Sequence, residues 1–311
     1  MAKTHHLDAE QIHREWDNAL PPRLTIDAGD TVVFDTRDAA NHFYTRQSTH
    51  DDVIRRGPFR GHPLTGPVRV HDTRPGDVLV VQILEVKPDT WGWTQIRPGR
   101  GLLPEADFPK PFFQVWDLAD GRVGRMGESI AVPLAPFPGV MGVALDEPGG
   151  HSTMPPRRNG GNMDIKQLTA GTTLYLPVLV DGALFSVGDA HAAQGDGEVC
   201  VTAIEMNAQV TLRFDVLRGR SLREPQFRTA GPVGAVTNTG PHYVTTAHGP
   251  DLFASSQQAI RYMIEHLVET RGLSREEAYV LASVAVDLKI SEIVDAPNWI
   301  VSAFLPESVF V

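Results

Sequence analysis

Short apolar runs with a period of two, each closed by glycine, proline or aspartate, fill most of the chain up to about residue 250. They read in order as LTIDAGDTVVFDT, GPVRV, DVLVVQILEV, ESIAVP, GVMGVAL, TTLYLPVLV, GALFSVGDA, EVCVTAIEM and AQVTLRFDVL. Neighbouring side chains of a strand face opposite sides, so the alternation predicts half-buried strands. Turn residues spaced about 8–12 residues apart predict a sandwich or barrel. No helix-period segment interrupts the series before Ser255, which argues against a parallel sheet of βαβ units. Two turns repeat a Gly-Asp pair ahead of a strand, PRLTIDAGDTVVF and VHDTRPGDVLVVQIL. Asp30 and Asp77 are read there as turn devices that bond backbone amides.

The last sixty residues change period. Ile260, Met263, Ile264, Leu267 and Val268 recur at helical spacing within Ser255–Thr270. A second helix is predicted from Ser274, an N-cap followed three residues on by Glu277, and runs through AYVLASVAVDLKI. A closing strand is expected at NWIVSAFL. The reading is mainly β: a polar N-terminal arm at 1–20, a β-rich catalytic body at 21–250, and a small α+β element with two helices at 251–311.

Charge narrows the function. The 38 acidic residues outnumber the 28 basic ones, for a formal charge of −10 and a pI near 5.6. Nucleic-acid binders carry the opposite excess, so no nucleic-acid partner is expected, and no anionic membrane surface. No run reaches the roughly 18 apolar residues of a membrane span. MAKTHHLDAEQIHREWD has no apolar core for a secretory signal. Cys200 is the single cysteine, which excludes a disulfide framework and a Cys-rich zinc module. A cytoplasmic protein is expected. Cys200 itself, inside EVCVTAIEM, is read as a buried apolar filler.

Chemistry concentrates between Gly160 and Glu205. Asp189 and His191 stand two apart, on one side of an extended backbone. Glu198 follows a Gly-rich turn able to fold the next strand back beside them, and Asp164 lies in a Gly-Gly-Asn-x-Asp loop. Converging carboxylates and an imidazole suit a divalent metal with an open position. The same residues also read as turn formers, with Asp164 anchoring an Asx-turn and His191 a hydrogen-bonded loop histidine.

LYLPVLVDGALFSVGDAHAAQGDGEVCVTAIE, preceded by GVMGVAL and GGNMDIKQLTAGTTLYLPV, resembles the signature of the acetamidase/formamidase family. HPLTGPVRVHDTRPGDVLVVQILEV and PRLTIDAGDTVVFDTRDA are similar to its upstream segments. The resemblance implies hydrolysis of a small aliphatic amide to a carboxylate and ammonia. It also implies a jelly-roll-like β body, a homo-oligomer, and a divalent metal, zinc being the expected ion. Carried over by position, it implies metal ligands at Asp164, Asp189 and His191, with His62 beside them. Glu198 and Asp38 would be catalytic, Glu198 as acid/base, while Asn162 and Gly161 would face the substrate oxyanion. Three other functions were weighed: hydrolysis of a larger amide, carbamate or cyclic imide; a non-catalytic metal-containing β-sandwich; and a metal oxygenase, which wants more clustered histidines. His5, His6 and His13 are read as surface residues of the arm, and the 143–159 segment as a solvated loop. The aromatics between Trp91 and Phe113 are read as core or subunit-contact residues, with a pocket wall as the alternative.

Overall fold

A computed structural model describes residues 2–231 and 240–311. Two sheets face each other around one continuous core. The six-stranded sheet has at its centre Thr31–Thr36, Ala208–Leu217, Val78–Pro88 and Thr173–Pro177. Val32 and Phe34 of its second strand are fully buried, with half-buried neighbours between them, as the period of two requires. The ten-stranded sheet has Phe185–His191 near its middle, paired with Phe137–Gly142, Leu64–Val70 and Glu205–Met206. Phe34 and Phe214 of one sheet meet Phe185 of the other edge to face, with ring centroids 6.1 and 5.1 Å away. The body is therefore a sandwich and does not close into a barrel.

The polar N-terminal arm is tied to the body: Thr4–Leu7 pairs in parallel with Thr31–Thr36, and Trp16 is fully buried. His5 reaches Asp30, and His13 Nε2 lies 2.8 Å from the Ser186 hydroxyl. A short helix, α1 (His50–Arg55), precedes the two expected ones, capped by Thr49 and Asp52. Its six residues are too few for an apolar period to register. Two further helices follow, α2 (Leu252–Arg271) and α3 (Arg275–Ala285), the latter with the Ser274–Glu277 capping box. Beyond α3 the chain turns extended: Asp287–Glu292 is a strand, paired with Trp299–Pro306, which also pairs with His242–Gly249. No described helix is long and apolar enough to cross a membrane.

EVCVTAIEM is not a strand over its length. Only Glu205–Met206 pairs, and the segment before it is a loop clamped from behind by α3. Gly195 N–H donates to the Ser283 carbonyl (2.9 Å), Cys200 N–H to the Ser283 hydroxyl (3.0 Å), and the Tyr279 hydroxyl to the Val199 carbonyl. Past the helix, Leu288 N–H donates to the Asp196 carbonyl (3.1 Å), and Lys166 pairs with Asp287. Gly195 lies so close to Val286 that a β-carbon there would stand 2.1 Å from its carbonyl oxygen. Cys200 is fully buried, as expected, and its thiol pKa is pushed up to about 11 by burial.

Candidate active site

One strand and its neighbours gather the expected carboxylates. His191 and Glu205 are direct cross-strand partners, and Glu205 Oε2 stands 3.4 Å from His191 Nε2. Asp189 Oδ2 is 3.5 Å from that nitrogen and 3.6 Å from His62 Nε2, and Asp164 Oδ1 is 4.0 Å from His191 Nδ1. The expected set Asp164, Asp189, His191 and His62 is thus brought together, with Glu198 beside it on the wall of the same cavity.

Backbone strain aims three of these groups. Asp189 does not sit on a regular strand: its φ is 54°, and Asp164 and Glu198 have φ of 47° and 44°. A left-handed conformation at a residue with a side chain costs about 1–3 kcal/mol and persists only where surrounding contacts impose it. Three carboxylates held this way around one cavity share a single spatial purpose. Gly139, on the adjacent strand, leaves the room they occupy. A β-carbon at that position would stand 2.6 Å from Asp164 Oδ1 and 2.8 Å from His191 Cε1.

Outer partners fix the imidazoles. Gln194 Nε2 donates to the Asp164 carbonyl (2.7 Å), which leaves Gln194 Oε1 to accept from His191 Nδ1 at 2.9 Å. His191 Nε2 then faces the carboxylates, the arrangement by which an outer acceptor orients a ligating histidine. Thr153 Oγ1 accepts from the His62 N–H at 2.8 Å and lies 3.1 Å from Nδ1, turning His62 Nε2 inward.

Charge in the cluster is unbalanced. Burial raises the Asp164 carboxyl to about 7 and Glu205 to about 8, and drives Glu198 well above the usual carboxylate range. Burial also opposes the charge of Asp189, but His62 and His191 outweigh it and hold that carboxyl low. His191 is disfavoured as a cation by burial, yet Glu205 and Asp189 keep it well above its ordinary value. The site therefore calls for positive charge. Among the described residues, Asp164 Oδ1, Asp189 Oδ1, His191 Nε2, Glu205 Oε2 and Asn162 Oδ1 are buried without a hydrogen-bond partner. Buried orphans of this kind are costly. The donor set, oxygen with imidazole, fits a hard or borderline divalent cation.

Other expected positions lie elsewhere. Asp38 is not brought to the cluster: its oxygens accept the N–H groups of Ala40 (2.7 Å) and His42 (3.0 Å), bracing a turn. Asn162 lines the cavity, whereas Gly161 packs beside Trp16. The N–H groups of Gly160 and Glu198 donate to Arg157 and Gly195 within their own turns, so the glycine-rich loops do not offer these two amides to a substrate. Sequence reasoning missed Glu205, Gln194 and Gly139. Glu205 carried the one readable signal, a lone carboxylate inside the apolar run AIEM. Trp93, from the aromatic segment, does wall the cavity and also packs on Tyr44 at 4.8 Å. Of the 143–159 loop, Ser152 and Met154 reach the cavity edge.

Comparison with known proteins places the chain among amide hydrolases. The family model described as "Acetamidase/Formamidase family" matches residues 1–148 and 147–311. A formamidase of Methylophilus methylotrophus is 29% identical over 96% of this chain and 89% of its own length. An acetamidase of Mycolicibacterium smegmatis is 26% identical over 67% of this chain and 66% of its own. Among solved structures, a gamma lactamase from Delftia acidovorans superposes with a TM-score of 0.90 at 26% identity, covering 99% of this chain and 93% of that one. An acetamidase from Bacillus halodurans does so at 0.68 and 33% identity, covering 96% of each.

Proposed function

The chain belongs to the acetamidase/formamidase family and is a hydrolase of linear amides, and from that premise we propose that the Asp164–Asp189–His191 cluster activates a water molecule for attack on the amide carbonyl. The observation that carries this reading is the set of orphaned buried atoms, three of which belong to those three side chains. Asp164, Asp189 and His191 would hold a divalent ion, zinc being the expected one, with His62 at its flank. A bound ion of that kind supplies Lewis acidity and a water of lowered pKa.

The chain's own residues do the rest. An amide enters the cavity with its carbonyl toward the floor, beside Asn162. Glu198, ionised while a cation sits in the cluster, would take a proton from the attacking water, and its burial would help it retain that proton. The tetrahedral species collapses with rupture of the C–N bond, and the same proton passes to the departing nitrogen. Glu205, with Oε2 3.4 Å from His191 Nε2, would orient that imidazole toward the cluster. Atoms balance as amide plus water giving carboxylate plus ammonium. The test is ammonia release from formamide and acetamide, with and without a chelator, by the native chain and by Glu198→Gln. Native turnover that chelation abolishes and metal restores is expected, with a loss of about 10²–10⁴ in the variant. Chelator-resistant turnover would overturn the proposed metal activation.

A cyclic amide is the second reading, favoured by the 0.90 TM-score to the gamma lactamase. The proposed setting is a reducing, cytoplasmic one, which the unpaired, buried Cys200 supports. Phe253 and Tyr262 of α2, 62% and 44% exposed, support a homo-oligomer contact there. Light scattering of the purified chain tests that contact.

A further inference from the structure

The cavity is larger than a short amide needs, and its wall carries charge that a short amide does not use. Its volume is about 810 Å³. A molecule of formamide size, roughly two water volumes or ~60 Å³, fills less than a tenth of it. The protein carries a net charge of −10 and only 28 basic residues among 311. Nevertheless Arg14, Arg56, Arg60, Arg97 and Arg100 all line this one cavity. They come from three separate stretches of chain, so no local repeat explains their meeting.

These guanidiniums are positioned without being neutralised. Arg14 donates to the Gly61 carbonyl (2.9 Å), Arg56 to Ala39 (2.6 Å) and Arg97 to Val53 (3.3 Å). Among the described residues, arginine–carboxylate pairs form at Arg23, Arg55, Arg158 and Arg261, and at none of the five in the cavity. Mutual repulsion is real: burial and then the charges of Arg56, Arg37 and Arg60 hold the Arg14 guanidinium below its ordinary value. Charge is also sorted by depth. Asp189, Glu205 and His191 are buried at the floor. Asp164 and Glu198 are half-buried, as are Arg14, Arg56 and Arg97. Arg60 and Arg100 are exposed at the rim, with Glu15 as the one exposed carboxylate among the lining residues.

We propose that the substrate is an amide carrying a carboxylate at its far end. The amide lies on the acidic floor, and the carboxylate is held by the arginines of the wall. This rests on the amide-hydrolase reading. The arginines of the wall, free of carboxylate partners, bind the far carboxylate and so orient the molecule with its amide inward, toward Asn162 and Glu198. Planar guanidiniums suit bidentate carboxylate recognition better than a single point charge would.

The test compares glutaramate with pentanamide, which has the same carbon count and no charge, on the native full-length chain. kcat/KM for glutaramate should exceed that for pentanamide by about 10–100-fold, and the ratio should fall as salt rises. Arg60→Gln with Arg97→Gln should bring the ratio toward one. A native ratio near one, or a ratio that survives the double substitution, would overturn the inference while leaving amide hydrolysis in place. If formamide and acetamide are not hydrolysed either, the amidase reading itself fails. Calorimetric binding then decides the inference alone: glutaramate bound more tightly than pentanamide, and released by the arginine substitutions, upholds it, and equal binding overturns it.

Discussion

One methyl group added at Gly139 should disable the site. Gly139 lies on the Phe137–Gly142 strand with no left-handed φ, so alanine is compatible with its backbone. The effect is therefore one of space. The new β-carbon would stand 2.6 Å from Asp164 Oδ1, 2.8 Å from the Asp189 carbonyl and 2.8 Å from His191 Cε1, where ordinary contacts begin at 3.4 Å. Asp164 Oδ1 would have to retreat by about 0.4 Å to reach even the tightest real contact at 3.0 Å, and by about 0.8 Å for an ordinary one. Metal–ligand distances tolerate about ±0.2 Å, so that retreat removes a ligand. Neither the backbone carbonyl nor the imidazole, tethered to Gln194, yields easily. Overpacking of this kind costs about 1–3 kcal/mol, a few degrees in Tm for a chain of this size. Metal affinity should fall at least 10–100-fold, the range seen when outer partners of a ligand are disturbed. Elemental analysis after dialysis, ammonia release and a thermal melt read the three effects. Gly231→Ala, whose methyl meets no atom of the described residues within 4 Å, is the control. A Gly139→Ala protein with full metal and native turnover would refute the placement of the site.

Further outcomes are expected. Glu205→Gln should keep the fold and lower turnover by about 10²–10⁴, because its carboxylate faces His191 without another partner for Oε2; undiminished turnover would remove it from the mechanism. Asp38→Ala should cost about 1–3 kcal/mol of stability by leaving two turn amides unpaired, with kcat retained; a collapse of kcat at unchanged stability would restore Asp38 to catalysis. The metal-free protein should lose stability as pH rises from about 4.5 to 8. Asp164 at about 7, Glu205 at about 8 and Glu198 above its usual range keep protons that the unfolded chain has released, so their contribution is full at low pH and lost through the folded values. Each such proton is worth up to about 1.4 kcal/mol per pH unit; His62, held below its ordinary value by burial, opposes up to about pH 6.5, while Asp189, held low, titrates below this range. A melting temperature that climbs across that range would contradict the protonated cluster.

The sandwich was legible because its strands obey a period of two over long runs, as at Val32–Phe34 and Leu79–Val81–Ile83, all fully buried. Trp91–Ile96 and Phe112–Asp117 were harder to read, since their aromatic and proline-flanked residues alternate poorly. Asp189, His191, Asp164 and Glu198 were found through motif resemblance and i, i+2 spacing together. The geometry that unites them was not foreseeable from spacing. The left-handed backbone at three of them is a tertiary imposition, and the partnership of Glu205 with His191 depends on strand register. Gly139 matters for the side chain it lacks, which no pattern of side chains can announce.

The clamp of α3 on the 192–204 loop also sets an order of events during synthesis. The strand bearing Asp189 and His191 finds two of its partners, Leu64–Val70 and Phe137–Gly142, already made when it emerges. The loop carrying Glu198, however, completes its hydrogen bonding only when Tyr279, Ser283 and Leu288 have been added. At about 5–20 residues per second, that is a delay of roughly 4–17 s after Cys200 has been made. A nascent chain stalled before α3 would carry a folded sandwich and an unfinished site. Competence for turnover is thus the last property the polypeptide acquires, withheld until nearly the whole message has been read.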